Sequence, residues 1–147
     1  MNLVLPGRTR LTNGHFLPDS DLAQVRLLIV EDDPFLQSYL SEILLDYPLQ
    51  VFIADSIHEA VGFYLKKQPD ILLMESYFSF ASNPAIDKKI TAGNLQLITI
   101  IENKAESRFA NARPGTVFYL TKPLVPNEVT RVVISLAEGI VLKKILS

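Results

Sequence analysis

Glu31, Asp32 and Asp33 stand together in "LLIVEDDP", Glu75 closes "DILLME", and Lys122 follows "TVFYLT". Each of these groups comes directly after a short apolar run, the place from which polar side chains gather at one edge of a parallel sheet. Carboxylates with no histidine or cysteine beside them are oxygen ligands for a hard cation such as Mg²⁺. Brought close together they also repel, so an uncompensated cluster needs a cation or a raised pKa. Lys122 is the candidate internal cation. Glu31, Asp32 and Glu75 are the candidate ligands of a weak Mg²⁺ site, and nothing in the sequence requires a cofactor.

The elements that must position these groups follow from periodicity. Residues 25–30 ("VRLLIV"), 50–55, 70–75, 95–101 and 116–121 are short, β-rich and apolar, as strands buried on both faces are. Helical patterns lie between them. Asp33-Pro34 reads as an N-cap with proline at the first helical position. The helix it opens carries Phe35, Leu36, Tyr39, Leu40, Ile43 and Leu44 on one face. Ser56 and Glu59 form a capping-box pattern for a helix whose core face is Ile57, Ala60, Val61, Tyr64 and Leu65. Residues 83–93 predict a helix capped by Asn83 and stopped by Gly93, residues 104–112 a short helix, and the positions from Asn127 onward a last helix. Five β-α repeats predict an α/β fold, a (βα)₅ doubly wound parallel sheet of flavodoxin-like order 2-1-3-4-5. In that order the first and third strands are neighbours, which puts Glu31, Asp32 and Glu75 together with Lys122 opposite.

Three stretches, "LLIVEDDP", "PDILLME" and "YLTKPL", in this order and spacing, resemble the receiver domain of two-component response regulators. The resemblance covers residues 25 to about 140. It implies a phosphoacceptor at the end of the third strand, an acidic pair that helps bind Mg²⁺, a hydroxyl after the fourth strand and a lysine after the fifth. The acidic pair matches Glu31 and Asp32, the lysine Lys122 with Pro123 behind it, and the aromatic switch position Tyr119. Two positions depart from the pattern. The phosphoacceptor position holds Glu75 rather than aspartate, and the hydroxyl position falls on Ile100 or Ile101. The loop after the third strand, "SYFSFASN", lacks the expected Pro-Gly turn.

These departures bear on the chemistry. Phosphoryl transfer rests on positioning and charge stabilisation in line with the leaving group. Moving the attacking oxygen by about a bond length lowers the rate on the order of 10²-fold. Isoleucine offers no donor to a phosphoryl oxygen. The expectation is an atypical receiver, not an enzyme, that acts by phosphorylation-independent protein–protein interaction in signalling or transcription regulation. Glu75 then either mimics a phosphorylated aspartate by reaching Lys122 or is inert. The alternatives are a phosphorylatable receiver of a longer transcriptional regulator and a flavodoxin-like enzyme or nucleotide binder. The acidic, glycine-free turn after the first strand repels phosphate and argues against the last of these.

The totals narrow the classes further. The 147 residues are 48% hydrophobic with a net charge of −2, which suits one globular domain and gives no electrostatic footprint for nucleic acid. With no cysteine, disulfides and thiolate metal sites are excluded. No apolar run approaches the ~18 residues of a membrane span, so the expected compartment is the cytoplasm. Residues 1–24 predict an irregular N-terminal arm, with a short helix near "DSDLAQ" and a docking option through Leu11, Phe16 and Leu17. Residues 25–147 form the receiver-like domain. Its last helix is expected to run on toward Leu146 unless Gly139 breaks it. That helix and the fifth-strand face are the candidate surfaces for a protein partner or a homodimer. Tyr77, Phe78 and Phe80 either cap the core or form an exposed aromatic patch. His15 and His58 read as surface residues.

Overall fold

The computed structural model describes residues 7–10, 16–103 and 113–147. A small antiparallel hairpin, β1 (Arg8–Arg10) with β2 (Phe16–Pro18), leads into the one-turn helix α1 (Asp19–Leu22). Then follow β3 (Arg26–Val30), α2 (Pro34–Leu44), β4 (Gln50–Ala54), α3 (Ile57–Lys67), β5 (Ile71–Glu75), α4 (Pro84–Thr91), β6 (Gln96–Ile101), β7 (Thr116–Thr121) and α5 (Pro126–Leu146). The five long strands form one parallel sheet in the order β4-β3-β5-β6-β7. That is the 2-1-3-4-5 order expected from the repeat pattern. The helix expected over residues 104–112 lies outside the described residues.

Strand alternation divides the core in two. Leu27, Ile29, Ile71, Leu73, Ile98, Ile100 and Leu120 face α2 and α5, whereas Leu28, Val30, Leu72, Met74 and Leu97 face α3 and α4. Both faces are covered, which is why the central strands carry apolar residues in unbroken runs.

Local chemistry sets the helix starts. The Asp33 carboxylate accepts from the Phe35 N–H at 2.9 Å, with Pro34 at the first helical position. The Ser56 hydroxyl accepts from the Glu59 N–H, and the Glu59 carboxylate reaches back to the N–H of Asp55, one residue earlier than a standard capping box. Asn83 makes no side-chain cap. Its carbonyl instead accepts from Ile86 and Asp87. Gly93, at φ +79°, ends the turn after α4.

Three expectations are corrected. Phe35, placed on the core face of α2, is 74% exposed; it stands in the first turn and stacks on Tyr39. Leu65 is exposed on α3, and Phe63 packs on Phe52 in its place. The described part of the arm is not irregular. The Asp19 N–H donates to the Gly7 carbonyl across the hairpin, and Leu17 and Leu22 join the core beneath α5. Leu11 lies outside the described residues. α5 passes through Gly139 unbroken for 21 residues, and Val141 is its last buried side chain.

Gly115 has φ +84°, and a Cβ there would lie 2.7 Å from the Ile90 carbonyl oxygen. Gly62, inside α3, has open space around it. Gly115→Ala should therefore destabilise the domain by about 1–3 kcal/mol. Gly62→Ala should stabilise it by about 0.5–1 kcal/mol. Urea midpoints of the two variants check both signs.

Candidate functional site

Parity along the strands decides which polar groups meet. Continuing the alternation of Leu27 and Ile29, of Ile71 and Leu73, and of Phe118 and Leu120 brings Glu31, Glu75 and Lys122 to the same face at the C-terminal edge. The structure places them accordingly. Glu31 and Glu75 are 1% and 2% exposed, and Lys122 Nζ lies 2.5 Å from Glu75 Oε1. A second carboxylate, Glu102, the first residue after β6, accepts from the same ammonium at 3.1 Å. Lys122 thus bridges the ends of β5 and β6 from the end of β7.

Asp32 has the opposite parity and stands at the exposed edge of the cluster, close enough for its charge to act on Glu31. It is exposed, and its Oδ1 accepts from the Tyr77 hydroxyl at 2.5 Å. Of the expected ligands Glu31, Asp32 and Glu75, the two glutamates meet in the buried cluster and Asp32 lies at its exposed edge. Among the described residues no three histidine or acidic side chains are placed to hold a metal ion. The two glutamates that do meet face an ammonium rather than open space, so the donor set does not fit the Mg²⁺ that receiver-type sites imply.

Burial pushes the Glu31 carboxyl up to about 7. The Asp33 N–H, donating to its Oε1 at 3.0 Å, opposes this shift, while the charge and hydrogen-bonding carboxylate of Glu75, and then Asp32, add to it. Oε2 of Glu31 is buried with no hydrogen-bond partner, and Oε1 of Glu75 meets Lys122 as an ion pair. Burial pulls the Lys122 ammonium down, but its bonds to Glu75 and Glu102 outweigh that and hold it above the ordinary lysine range.

Beside the cluster, alternation settles the hydroxyl position. Ile100 pairs with Glu75 and points to the α2/α5 face. Ile101 shares the opposite face with Tyr119, whose neighbour in register is Thr99. Thr99 cannot substitute, because its hydroxyl is bonded to that of Thr116 at 2.8 Å. The loop after β5 is fixed at both ends of its first turn. Arg113 Nη2 donates to the Ser76 carbonyl, and Tyr77 holds Asp32. Of the three aromatics there, Phe80 is core, Phe78 packs against it, and Tyr77 is exposed. Sequence reasoning passed over Glu102, Tyr77 as a partner of Asp32, and Arg113. Glu102 was findable as an acidic residue directly after a strand; the other two depend on loop geometry.

No protein-family model matches the chain, and no curated protein matches it in sequence. Solved structures do. The two component transcriptional regulator AraC from Clostridium phytofermentans aligns at 16% identity over 84% of this chain and 99% of its own, with a TM-score of 0.67. The receiver domain of a sensor histidine kinase from Pseudomonas aeruginosa, whose structure has a magnesium ion coordinated in the active site cleft, aligns at 22% over 78% and 98%, TM-score 0.62. The anti-anti-sigma factor PhyR from Bartonella quintana aligns at 25% over 78% of this chain and 47% of its own, TM-score 0.58. The fold is that of response regulator receiver domains.

Two outcomes test the cluster. Glu31 has a folded pKa raised to about 7 from 4.5, so its contribution to stability is complete below pH 4.5 and is lost as pH rises toward 7. The stability of the native chain relative to Glu31→Gln should fall across that window, as read from urea midpoints at several pH values. Lys122→Met leaves the Glu75 carboxylate buried and unpaired and should destabilise by about 1–3 kcal/mol, reduced from the fully buried case because the lysine is partly exposed. Calorimetric unfolding at pH 8 measures it.

Proposed function

We propose that this chain is an atypical receiver-type module of two-component signalling that acts through protein–protein contact without accepting a phosphoryl group. The observation that supports this most is the Lys122–Glu75 pair at 2.5 Å. The longer glutamate side chain already engages the lysine that in a receiver would meet the phosphoryl group. Ile101, where a hydroxyl would be drawn inward, gives Tyr119 nothing polar to follow at that position. Of the two roles open to Glu75, a fixed imitation of the engaged state has the better support, because an inert carboxylate would not need to be buried against Lys122.

On this reading the module has no catalytic activity and needs no cofactor. Mg²⁺ binds weakly at most. No described helix is long and apolar enough to cross a membrane; the proposed compartment is the cytoplasm. The proposed contact surfaces are the outer turns of α5, where Leu142, Ile145 and Leu146 are exposed, and the β7 face with exposed Val117. Apolar groups in such a cluster mark contact sites more often than scattered ones do. A protein partner, a second copy included, would use them in transcription regulation or a related pathway. The rival reading, a phosphorylatable receiver within a longer regulator, requires Lys122 to leave Glu75 before chemistry can begin.

Treatment with acetyl phosphate and Mg²⁺ separates the two. Intact-mass measurement should show no added phosphoryl group, and beryllofluoride should leave the amide NMR signals of residues 75 and 122 in place. A phosphoryl adduct at Glu75 would sink the proposal. Glu75→Asp combined with Ile101→Thr should restore a detectable response; Ile100→Thr, on the other face, should not.

A further inference from the structure

Three helices end in a pair of lysines: Lys66-Lys67 in the last turn of α3, Lys88-Lys89 in that of α4 and Lys143-Lys144 in that of α5. Each of these helices runs back against the parallel strands, so all three pairs reach the sheet edge opposite the acidic crevice. The six residues are exposed, and among the described residues the ion pairs are those of Lys122, so none of the six is ion-paired. Helix ends answer part of this charge: a C-terminus carries about half a negative charge, whereas each pair brings two positive ones. Between α5 and the turn from α4 to β6, the same edge holds a groove of about 450 Å³. Half-buried Leu136 and Ile140 give it an apolar wall, Asn94 and Gln96 supply side-chain amides, and Lys143 and Lys144 line it as well. We infer that this edge is a docking surface for an acidic, amphipathic segment of a partner protein, whose carboxylates meet the lysine pairs while its apolar side chains enter the groove. The inference rests on the proposed protein-contact function and names the chemistry of the partner.

Three observations select that occupant. Gly139 lies inside α5, where glycine is unfavourable, yet no atom stands within 4 Å of the place its Cβ would take. Packing within the chain therefore does not require glycine there. Its missing side chain leaves the groove open down to the helix backbone, and the apolar wall is recessed, which suits inserted side chains rather than a flat lipid surface. Next, two of the ammoniums are already positioned: Lys67 Nζ lies 5.8 Å from the centre of the Phe52 ring and Lys89 Nζ 5.5 Å from that of Tyr64. Holding them lowers the ordering cost of meeting a carboxylate. It also covers the aromatic faces on which nucleic-acid bases would stack, which disfavours nucleic acid as the occupant. Last, exposed Leu142 and Ile145 flank Lys143 and Lys144, so apolar and cationic groups alternate as the complement of an acidic amphipathic segment. Acidic side chains at this edge leave the surplus in place. Asp70 accepts from the Arg26 N–H at 2.9 Å, and Asp21 shares a smaller hollow with Lys144 on the side of α1.

The probe is a fluorescein-labelled peptide of about 12 residues that carries glutamates on one helical face and leucines on the other. Fluorescence anisotropy should give saturable binding to the native chain with half-saturation below about 1 mM, and amide NMR shifts should fall at residues 94, 96, 139 and 143. Lys143→Glu combined with Lys144→Glu should weaken binding about tenfold or more. Gly139→Leu fills the groove and should weaken binding by about as much. Its urea midpoint should stay at or above the native value, because leucine is the better helix former, so lost binding is not misfolding. Counterpart peptides with serine for leucine, or lysine for glutamate, should bind about tenfold more weakly. No saturable binding of the acidic peptide, equal binding of the three peptides, or binding unchanged in both variants overturns the inference. So does a preference for phosphatidylserine vesicles or for oligo-dT over the peptide. The outcome is separable from the phosphorylation test. A phosphoryl adduct at Glu75 would defeat the proposed function without moving these affinities, and lost peptide binding without an adduct would defeat the docking surface alone.

Discussion

Two carboxylates and one ammonium share a nearly water-free corner at the C-terminal edge of the sheet, and the rest of the site is arranged around keeping that corner neutral. Burying a charge is tolerable only when it is paired and hydrogen-bonded. Glu31 and Glu75 bring up to two negative charges and Lys122 one positive, and burial pushes the Glu31 carboxyl toward its neutral form. The backbone N–H of Asp33 bonds one Glu31 oxygen, the other Glu31 oxygen is buried without a hydrogen-bond partner, and Lys122 pairs ionically with Glu75. The parity of three parallel strands imposes this meeting. The same parity turns Asp32 outward, where a tyrosine from the next loop takes it up.

Neutrality has a mechanical consequence. A switch needs two arrangements of similar free energy and something that biases them. In this corner every strong interaction favours one arrangement. The lysine is held from two sides, Ile101 offers the aromatic at 119 only hydrocarbon, and the loop after β5 is tied by Arg113 and Tyr77 at adjacent residues. The Thr99 hydroxyl, on the same face as Ile101, is bonded to that of Thr116. On the proposed reading, Glu75 at the phosphoacceptor position and isoleucine at the hydroxyl position are one change seen at two places. Once the carboxylate reaches the lysine by itself, an inward-drawn hydroxyl has no charge to answer.

The sequence carried the sheet and most of this corner. Apolar runs of strand length bounded by proline and acidic residues located all five long strands, and Asp33-Pro34 and Ser56 located two helix starts, because those signals are local. Glu75 and Lys122 were legible for a similar reason: Glu75 closes a fully buried strand, and Lys122 directly follows the last strand. The misplaced residues depend on information that is not local. Phe35 fits the helical period of α2, but a first-turn position puts it beyond the sheet that the period is meant to cover. Asp32 beside Glu31 looks like half of a pair until strand parity separates them. Glu102 was hidden by attention to where the hydroxyl should be, one residue earlier. The hairpin at the N-terminus has too few residues per strand for alternation to show, and its order comes from docking Leu17 and Leu22 under α5.

A site fixed in one state moves the burden of recognition to surfaces. A protein whose binding-competent form is only partly populated loses apparent affinity in proportion to the missing population. A fixed form avoids that loss and also avoids the ordering entropy of closing a loop at each encounter. On the proposed reading, the Lys122–Glu75 pair gives this advantage by electrostatics internal to the chain. Control of such a module would then lie with its partner and with competitors for α5 and the β7 face. The apolar outer turns of α5, extending past the last side chain that the core needs, are consistent with contact rather than chemistry being what this fold retains.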